Sequence, residues 1–237
     1  MRIQLSSLKE ISRCPRYFQF SKSNPLLKID TNASIALAVI KKCYLYVMET
    51  GYRPEWKRII GWVDTRVFRD VDISNEEVFD SFRRKAEYIL IFLGSWYHQY
   101  MEKDNSFVYV DVPVSRSISE HHEIHSNISI IRVGKYPTIL LVSDIAANIG
   151  RLYNDIELRG QHWLLEKNLD AKDICIDYLV IGVEGGIEIQ KLYLTAKDLK
   201  NIEEVLYQLT SLAVNNIDYP SVTEMCNKCR FLKECEI

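Results

Sequence analysis

The chain has 237 residues, 47% of them hydrophobic, and a formal net charge of −2. Such a composition excludes wholesale disorder and supplies a core for one large domain, or for one domain with an inserted lobe. The near-neutral charge excludes nucleic-acid binding by global attraction, so any such binder must gather its basic residues on one face.

The amino terminus, residues 1–20, is too polar for a signal peptide, and the longest apolar runs, 35–40 and 139–142, fall far short of a membrane span. A reducing, cytoplasmic setting is expected. There the six cysteines are read as metal ligands or buried thiols rather than disulfides.

In chain order, residues 5–12 read as a short helix capped by Ser6 or Ser7. A second helix is expected over 33–49, capped by Thr31 or Asn32 and ended by Gly51. A third runs over 75–101, its apolar residues Val78, Phe82, Tyr88, Ile89, Phe92, Leu93 and Trp96 following a helical stripe. The period then changes to two, and 107–114, 124–133, 137–149 and 152–158 read as consecutive strands. Residues 161–168 suit one or two helical turns. Strands over 174–183 and 187–194 flank Glu184-Gly185-Gly186, a hairpin signal, and Thr195 can cap a last helix over 196–214. This order of helices, a mainly antiparallel run of strands and a closing helix predicts an α+β fold.

The tail reads Cys226-Asn-Lys-Cys229-Arg-Phe-Leu-Lys-Glu-Cys235. Three thiolates within ten residues can converge on one metal centre. Cys14, just after the first helix and before Pro15, is the best candidate for a fourth ligand. A thiolate-only set suits an iron–sulfur cluster or zinc. Cys43 and Cys175 stand in apolar contexts and read as core residues.

The segment LSSLKEISRCPRYFQF near the start, with CNKCRFLKEC at the end, resembles the iron–sulfur branch of the RecB-like PD-(D/E)xK nucleases, which includes AddB nuclease domains and CRISPR-adaptation nucleases. The motifs lie at the two ends; between them the likeness is one of pattern. The resemblance implies a restriction-endonuclease-like mixed sheet with flanking helices and an inserted N-terminal helical lobe. It also implies a 4Fe–4S clasp on Cys14, Cys226, Cys229 and Cys235, with zinc as the alternative. On this plan residues 1–237 form one domain: 1–32 carry the first cluster ligand, 33–105 the helical lobe, 106–214 the nuclease-like core and 215–237 the cysteine tail.

The family's chemistry needs carboxylates that hold Mg²⁺ or Mn²⁺ beside the scissile phosphate. They come as an Asp on one strand and a (D/E)xK triplet on the next. Asp144 fits the first slot, at the end of an apolar run. If 152–158 is a strand, Asp155, Glu157 and Arg159 share one face, and Asp144 and Glu157 can share an ion. The plainer alternative is a solvated sheet face. Two departures weaken the implied activity. Arg159 stands in the lysine slot and stays protonated, so it cannot act as a base. The lobe's expected metal-binding histidine is absent from Ala36-Leu-Ala-Val-Ile-Lys41-Lys42. Gln161 begins a Q-x-x-x-Y-like segment whose aromatic is replaced by Leu165. The cluster His121, His122 and His125 reads as a surface loop.

Arg13, Arg16, Lys22 and Lys28 lie among Tyr17, Phe18 and Phe20. Arg53, Lys57, Arg58, Arg66 and Arg69 lie among Tyr52, Trp56, Trp62 and Phe68. Basic residues neutralise phosphates and aromatics stack on single-stranded bases, although most such aromatics are core. Arg13, Arg16, Lys41 and Lys42 are the expected nucleic-acid contacts. The implied partner is DNA, single-stranded or with free ends, and protein subunits of a larger nucleic-acid-processing complex are a second class of partner. A nuclease with impaired hydrolysis, an inactive DNA-binding or scaffold subunit, and a zinc-stapled interaction protein all remain open.

Overall fold

In the computed structural model, the described residues are 1–23, 31–69, 71, 74–102, 106–199 and 201–215, with Cys226, Cys229, Phe231 and Cys235 from the tail. The rest of the tail, Lys28 and Asp70 lie outside them.

The elements run β1 (Arg2–Gln4), α1 (Leu5–Arg13), α2 (Pro15–Ser23), α3 (Asn32–Thr50), α4 (Trp56–Val67) and α5 (Glu76–Trp96), then a π-helical turn (Tyr97–Met101). There follow β2 (Phe107–Ser117), β3 (Glu123–Val133), β4 (Pro137–Ser143), α6 (Ile149–Tyr153), α7 (Ile156–Leu169), β5 (Ile174–Ile181), β6 (Ile187–Leu194) and α8 (Ile202–Val214).

The caps follow local chemistry. Thr31 accepts the Ser34 N–H at the start of α3, and Gly51 ends that helix with φ +72°, a conformation glycine adopts without a Cβ penalty. Asn75 accepts the Val78 N–H at the start of α5. The first helix, however, has no side-chain cap from Ser6 or Ser7, because β1 runs straight into it through Gln4.

The sheet is mixed, as the resemblance implies, with three antiparallel and two parallel pairings among the described strands. β2 pairs antiparallel with β3 along its length, while the other edge of β3 carries parallel β1 at its start and antiparallel β4 at its end. β5 then adds parallel to β4, and β6 antiparallel to β5. A parallel β4–β5 pair needs a crossover, and α6 and α7 supply it.

This corrects the expected strand over 152–158: those residues are helical. Asp155 is the N-cap of α7, its carboxylate accepting the N–H groups of Glu157 and Leu158. The alternation of Asp155, Glu157 and Arg159 is thus an N-cap followed by a first helical turn, not a period of two. The fourth strand also stops earlier, at Ser143. The last helix begins at Ile202 rather than at 196, because Asp198 folds back to accept the N–H and hydroxyl of Thr195.

Two cores sandwich the sheet. One packs α1, α7 and α8 against a face that includes Ile139, Ile174 and Ile176. The other packs α3, α4 and α5 against Ile130, Leu140, Leu179 and Ile181. β5 contributes to both, as a central strand covered on two faces must. β2 changes face at Asp111: Val108 and Val110 join the second core and Val112 the first, although plain alternation would put all three on one side. Asp111 has φ +54°, and the ladder skips its pairing with Ser129.

Helices α1 and α7 approach closely at Gly160, where a Cβ would stand 2.4 Å from the buried Leu5. Among the described residues, no helix is long and apolar enough to cross a membrane.

Candidate nucleic-acid interface and cysteine clasp

The structure gives Asp144, Glu157 and Arg159 each a partner of its own. Asp144 lies exposed just past β4, and both carboxylate oxygens accept the Ala33 N–H, at 3.0 and 3.2 Å, in the first turn of α3. A carboxylate there also meets the positive end of the helix dipole. Glu157, in the first turn of α7, pairs with Lys9 of α1 at 2.8 Å, and Asp155 pairs with the same ammonium at 3.0 Å. Burial lowers the pKa of Lys9, but the hydrogen bonds and charges of Glu157 and then Asp155 outweigh it, holding the ammonium above the usual lysine range. Arg159 donates through Nε and Nη2 to the Asp198 carbonyl, at 3.2 and 2.9 Å. Gln161 is buried in α7, its Oε1 without a hydrogen-bond partner. Asp144 and Glu157 are therefore not strand neighbours, and each is engaged by a different helix.

His162, beside Gln161, is fully buried, and its Nε2 meets the Lys172 carbonyl at 2.9 Å while Nδ1 has no partner. Burial lowers its pKa, against the pull of the Lys172 carbonyl and of Asp198, Asp173 and Glu166. The unfolded chain therefore takes up this proton first as pH falls. Stability contributed by neutral His162 is complete above about pH 6.5 and declines as pH drops below it toward the folded-state value. Urea unfolding at pH 7.5 and 5.5 should accordingly show a smaller acid loss for His162→Gln than for the natural chain.

An acidic residue that sequence reading passed over lies at the centre of the sheet. Asp177 of β5 is 2% exposed. It meets Arg132 Nη1 and Tyr100 Oη, each at 3.2 Å, and Lys191 at 4.0 Å. The Arg132 guanidinium also lies 4.7 Å from the centre of the Tyr100 ring. Burial, then the charge of Asp177, holds the Tyr100 phenol well above its ordinary range. Burial pushes the neighbouring Tyr44 up to about 12, with Arg132 working the other way. A single acid inside the apolar run ICIDYLVI was the available signal, since a buried carboxylate demands a partner.

Of the predicted nucleic-acid residues, Lys41 pairs with Asp111, while exposed Lys42 lies 5.7 Å from the Trp62 ring centre. Arg58 stacks 4.6 Å from Tyr46, which itself packs edge-on to Trp62. Trp62 is thus engaged by a cation of the lobe itself, whereas Trp56 packs edge-on to Tyr97 and Phe68 packs on Phe79. Arg13 is exposed and Arg16 half-buried. His121 and His122 lie in the turn before β3, as expected of a surface loop, whereas His125 lies on β3 itself.

No disulfide joins any of the six cysteines. Burial raises Cys43 to about 12 and raises Cys175 as well, which suits inert core residues. Cys14, Cys226, Cys229 and Cys235 are half-buried. Among the described residues, no three His, Cys, Asp or Glu side chains gather as a metal site. The two ends of the chain do meet: Phe231, between Cys229 and Cys235, packs edge-on against Tyr17 of α2 with ring centres 5.4 Å apart. The Tyr17 N–H approaches Cys14 Sγ at 3.4 Å, and the Cys229 N–H bonds the Cys226 carbonyl at 3.0 Å.

The site thus sits on a mixed sheet with helices packed on both faces. No family model matches the chain, and no curated protein does. Among solved structures, the fold is similar to that of a protein from Eubacterium rectale named "Putative exonuclease", with a TM-score of 0.55 at 12% identity over 97% of this chain and 87% of that one. A structure named SSO0001 aligns over 99% of this chain and 85% of its own, with 13% identity and a TM-score of 0.49.

Proposed function

We propose that this chain is a DNA-binding protein on a nuclease-like fold, with little or no phosphodiester hydrolysis of its own. Its ends are clasped by a 4Fe–4S cluster on Cys14, Cys226, Cys229 and Cys235. The observation that carries the first part is the likeness, along nearly the whole chain, to the Eubacterium rectale protein. What favours binding over cleavage is the use made of the carboxylates. Asp144 serves the first turn of α3, and Glu157 and Asp155 serve a lysine clamp between α1 and α7. Arg159 is committed to a backbone carbonyl. The Tyr17–Phe231 contact supports the clasp, and zinc on the same thiols is the alternative.

In this reading the protein works in the cytoplasm as one domain, alone or as a subunit of a nucleic-acid-processing complex, with its basic residues on phosphates. Fluorescence anisotropy on labelled single-stranded DNA tests it. With two to four phosphates neutralised, affinity should fall by roughly 7- to 50-fold between 50 and 200 mM salt. Affinity that is flat across that range would point to a protein partner instead.

A further inference from the structure

Between the C-terminal half of α3, the π-helical turn and the start of β2 lies a cleft of about 480 Å³. Its lining includes Tyr44, Met48, Arg53, Tyr100, Met101 and Tyr109. That volume falls in the range of small-molecule sites. A space of that volume can take a single nucleotide. π-helical turns recur at functional sites, and this one supplies Tyr100 and Met101 to the lining. Tyr44 is 6% exposed, and its hydroxyl has no hydrogen-bond partner of good geometry, an unusual cost for a buried phenol. Arg53, exposed, is held by one hydrogen bond from Nη2 to the Glu102 carbonyl at 2.9 Å. A guanidinium has five N–H donors, so this bond leaves it able to take an anion.

Tyrosines and methionines are polarisable walls for a planar ring, and an arginine beside them matches a phosphate. We propose that this cleft binds one nucleotide of single-stranded DNA, with the base among the tyrosines and methionines and the phosphate at Arg53. Neither the carboxylates near α7 nor the cysteine clasp takes part. The inference rests on the DNA-binding reading above and assigns that binding a place.

The test is anisotropy with the full chain, on a labelled oligothymidylate and on a duplex of equal length. The variants are Tyr109→Ala and Arg53→Ala, both at exposed residues (Tyr109 is 53% exposed), so folding is preserved and thermal melting checks it. Tyr109→Ala should weaken single-strand binding by about 5- to 100-fold, the loss of one stacked base, and leave the duplex unchanged. Arg53→Ala should weaken it and reduce the salt slope by about one phosphate. Single-strand affinity unchanged in both variants would overturn the cleft while leaving DNA binding intact. Equal losses on strand and duplex would also overturn it, in favour of general electrostatics. No binding by the natural chain to either DNA would remove both readings together.

Discussion

Asp177→Ala should be among the most damaging single substitutions in this chain, lowering stability by about 3–5 kcal/mol. The carboxylate is 4% exposed and its partner Arg132 is 15% exposed. Removing the acid takes one buried partner from the guanidinium beside the second core and the acceptor from the Tyr100 hydroxyl. Breaking one side of a buried pair costs far more than replacing the pair as a unit. For a chain of this size the loss corresponds to a fall in melting temperature of roughly 6–20 °C. The double variant Asp177→Leu with Arg132→Met should recover most of it, because the sheet face then meets the tyrosines as an apolar surface. Thermal melts of the single and double variants decide the point: a mild Asp177→Ala would mean that water replaces the pair.

Cys229→Ser should remove the metal and the clasp together. A site assembled only in the folded chain contributes its binding free energy to folding, so its loss appears as instability as well as lost metal. Anaerobically purified natural protein should be brown and carry about four irons per chain, the content of a 4Fe–4S cluster. The Cys229→Ser protein should be colourless and melt well below it. The Tyr17–Phe231 contact alone is not expected to hold the tail, since one edge-on aromatic pair contributes only about 0.5–1.5 kcal/mol beyond the area it buries. Colourless natural protein with one zinc per chain would replace the cluster by the zinc staple. Natural protein with neither metal would remove the clasp.

Much of the fold was legible wherever one period dominates. The helix ended by Gly51, the stripe from Val78 to Trp96 and the strands around Glu184-Gly185-Gly186 stand close to where their patterns put them. The miss over 152–158 has a physical cause. An Asp N-cap with a Glu in the first turn spaces its charges like an exposed strand face, and Gly160 inside α7 weakens the helical signal. That glycine is present for packing against Leu5, a tertiary reason no local pattern carries. Helix α4 was hidden because Trp56, Trp62, Arg58 and Arg66 drew attention as a binding surface, while its buried stripe is only Ile59, Val63 and Val67. The parallel pairings of β1 and β4 depend on crossovers and are invisible to periodicity.

For the candidate site, residue types were legible but their partners were not. The pattern puts Asp144 on one strand, and Glu157 and Arg159 on its neighbour. Once one of them is a helix, the same charges become a cap, a lysine clamp and a carbonyl ligand. Asp177, the acid with the deepest burial, was overlooked because it interrupts a strand that otherwise reads as plain core.

On the proposed reading, these carboxylates hold the fold and do not drive hydrolysis. The most direct measurement is cleavage of labelled single-stranded DNA with Mn²⁺ or Mg²⁺ by the natural chain, Asp144→Ala and Arg159→Lys. We expect all three to stand at the same background, Arg159→Lys included, because residue 159 lies on a helix and its natural arginine is bound to the Asp198 carbonyl. Rapid cleavage by the natural chain that disappears in Asp144→Ala would contradict the account and restore Asp144 as a metal ligand.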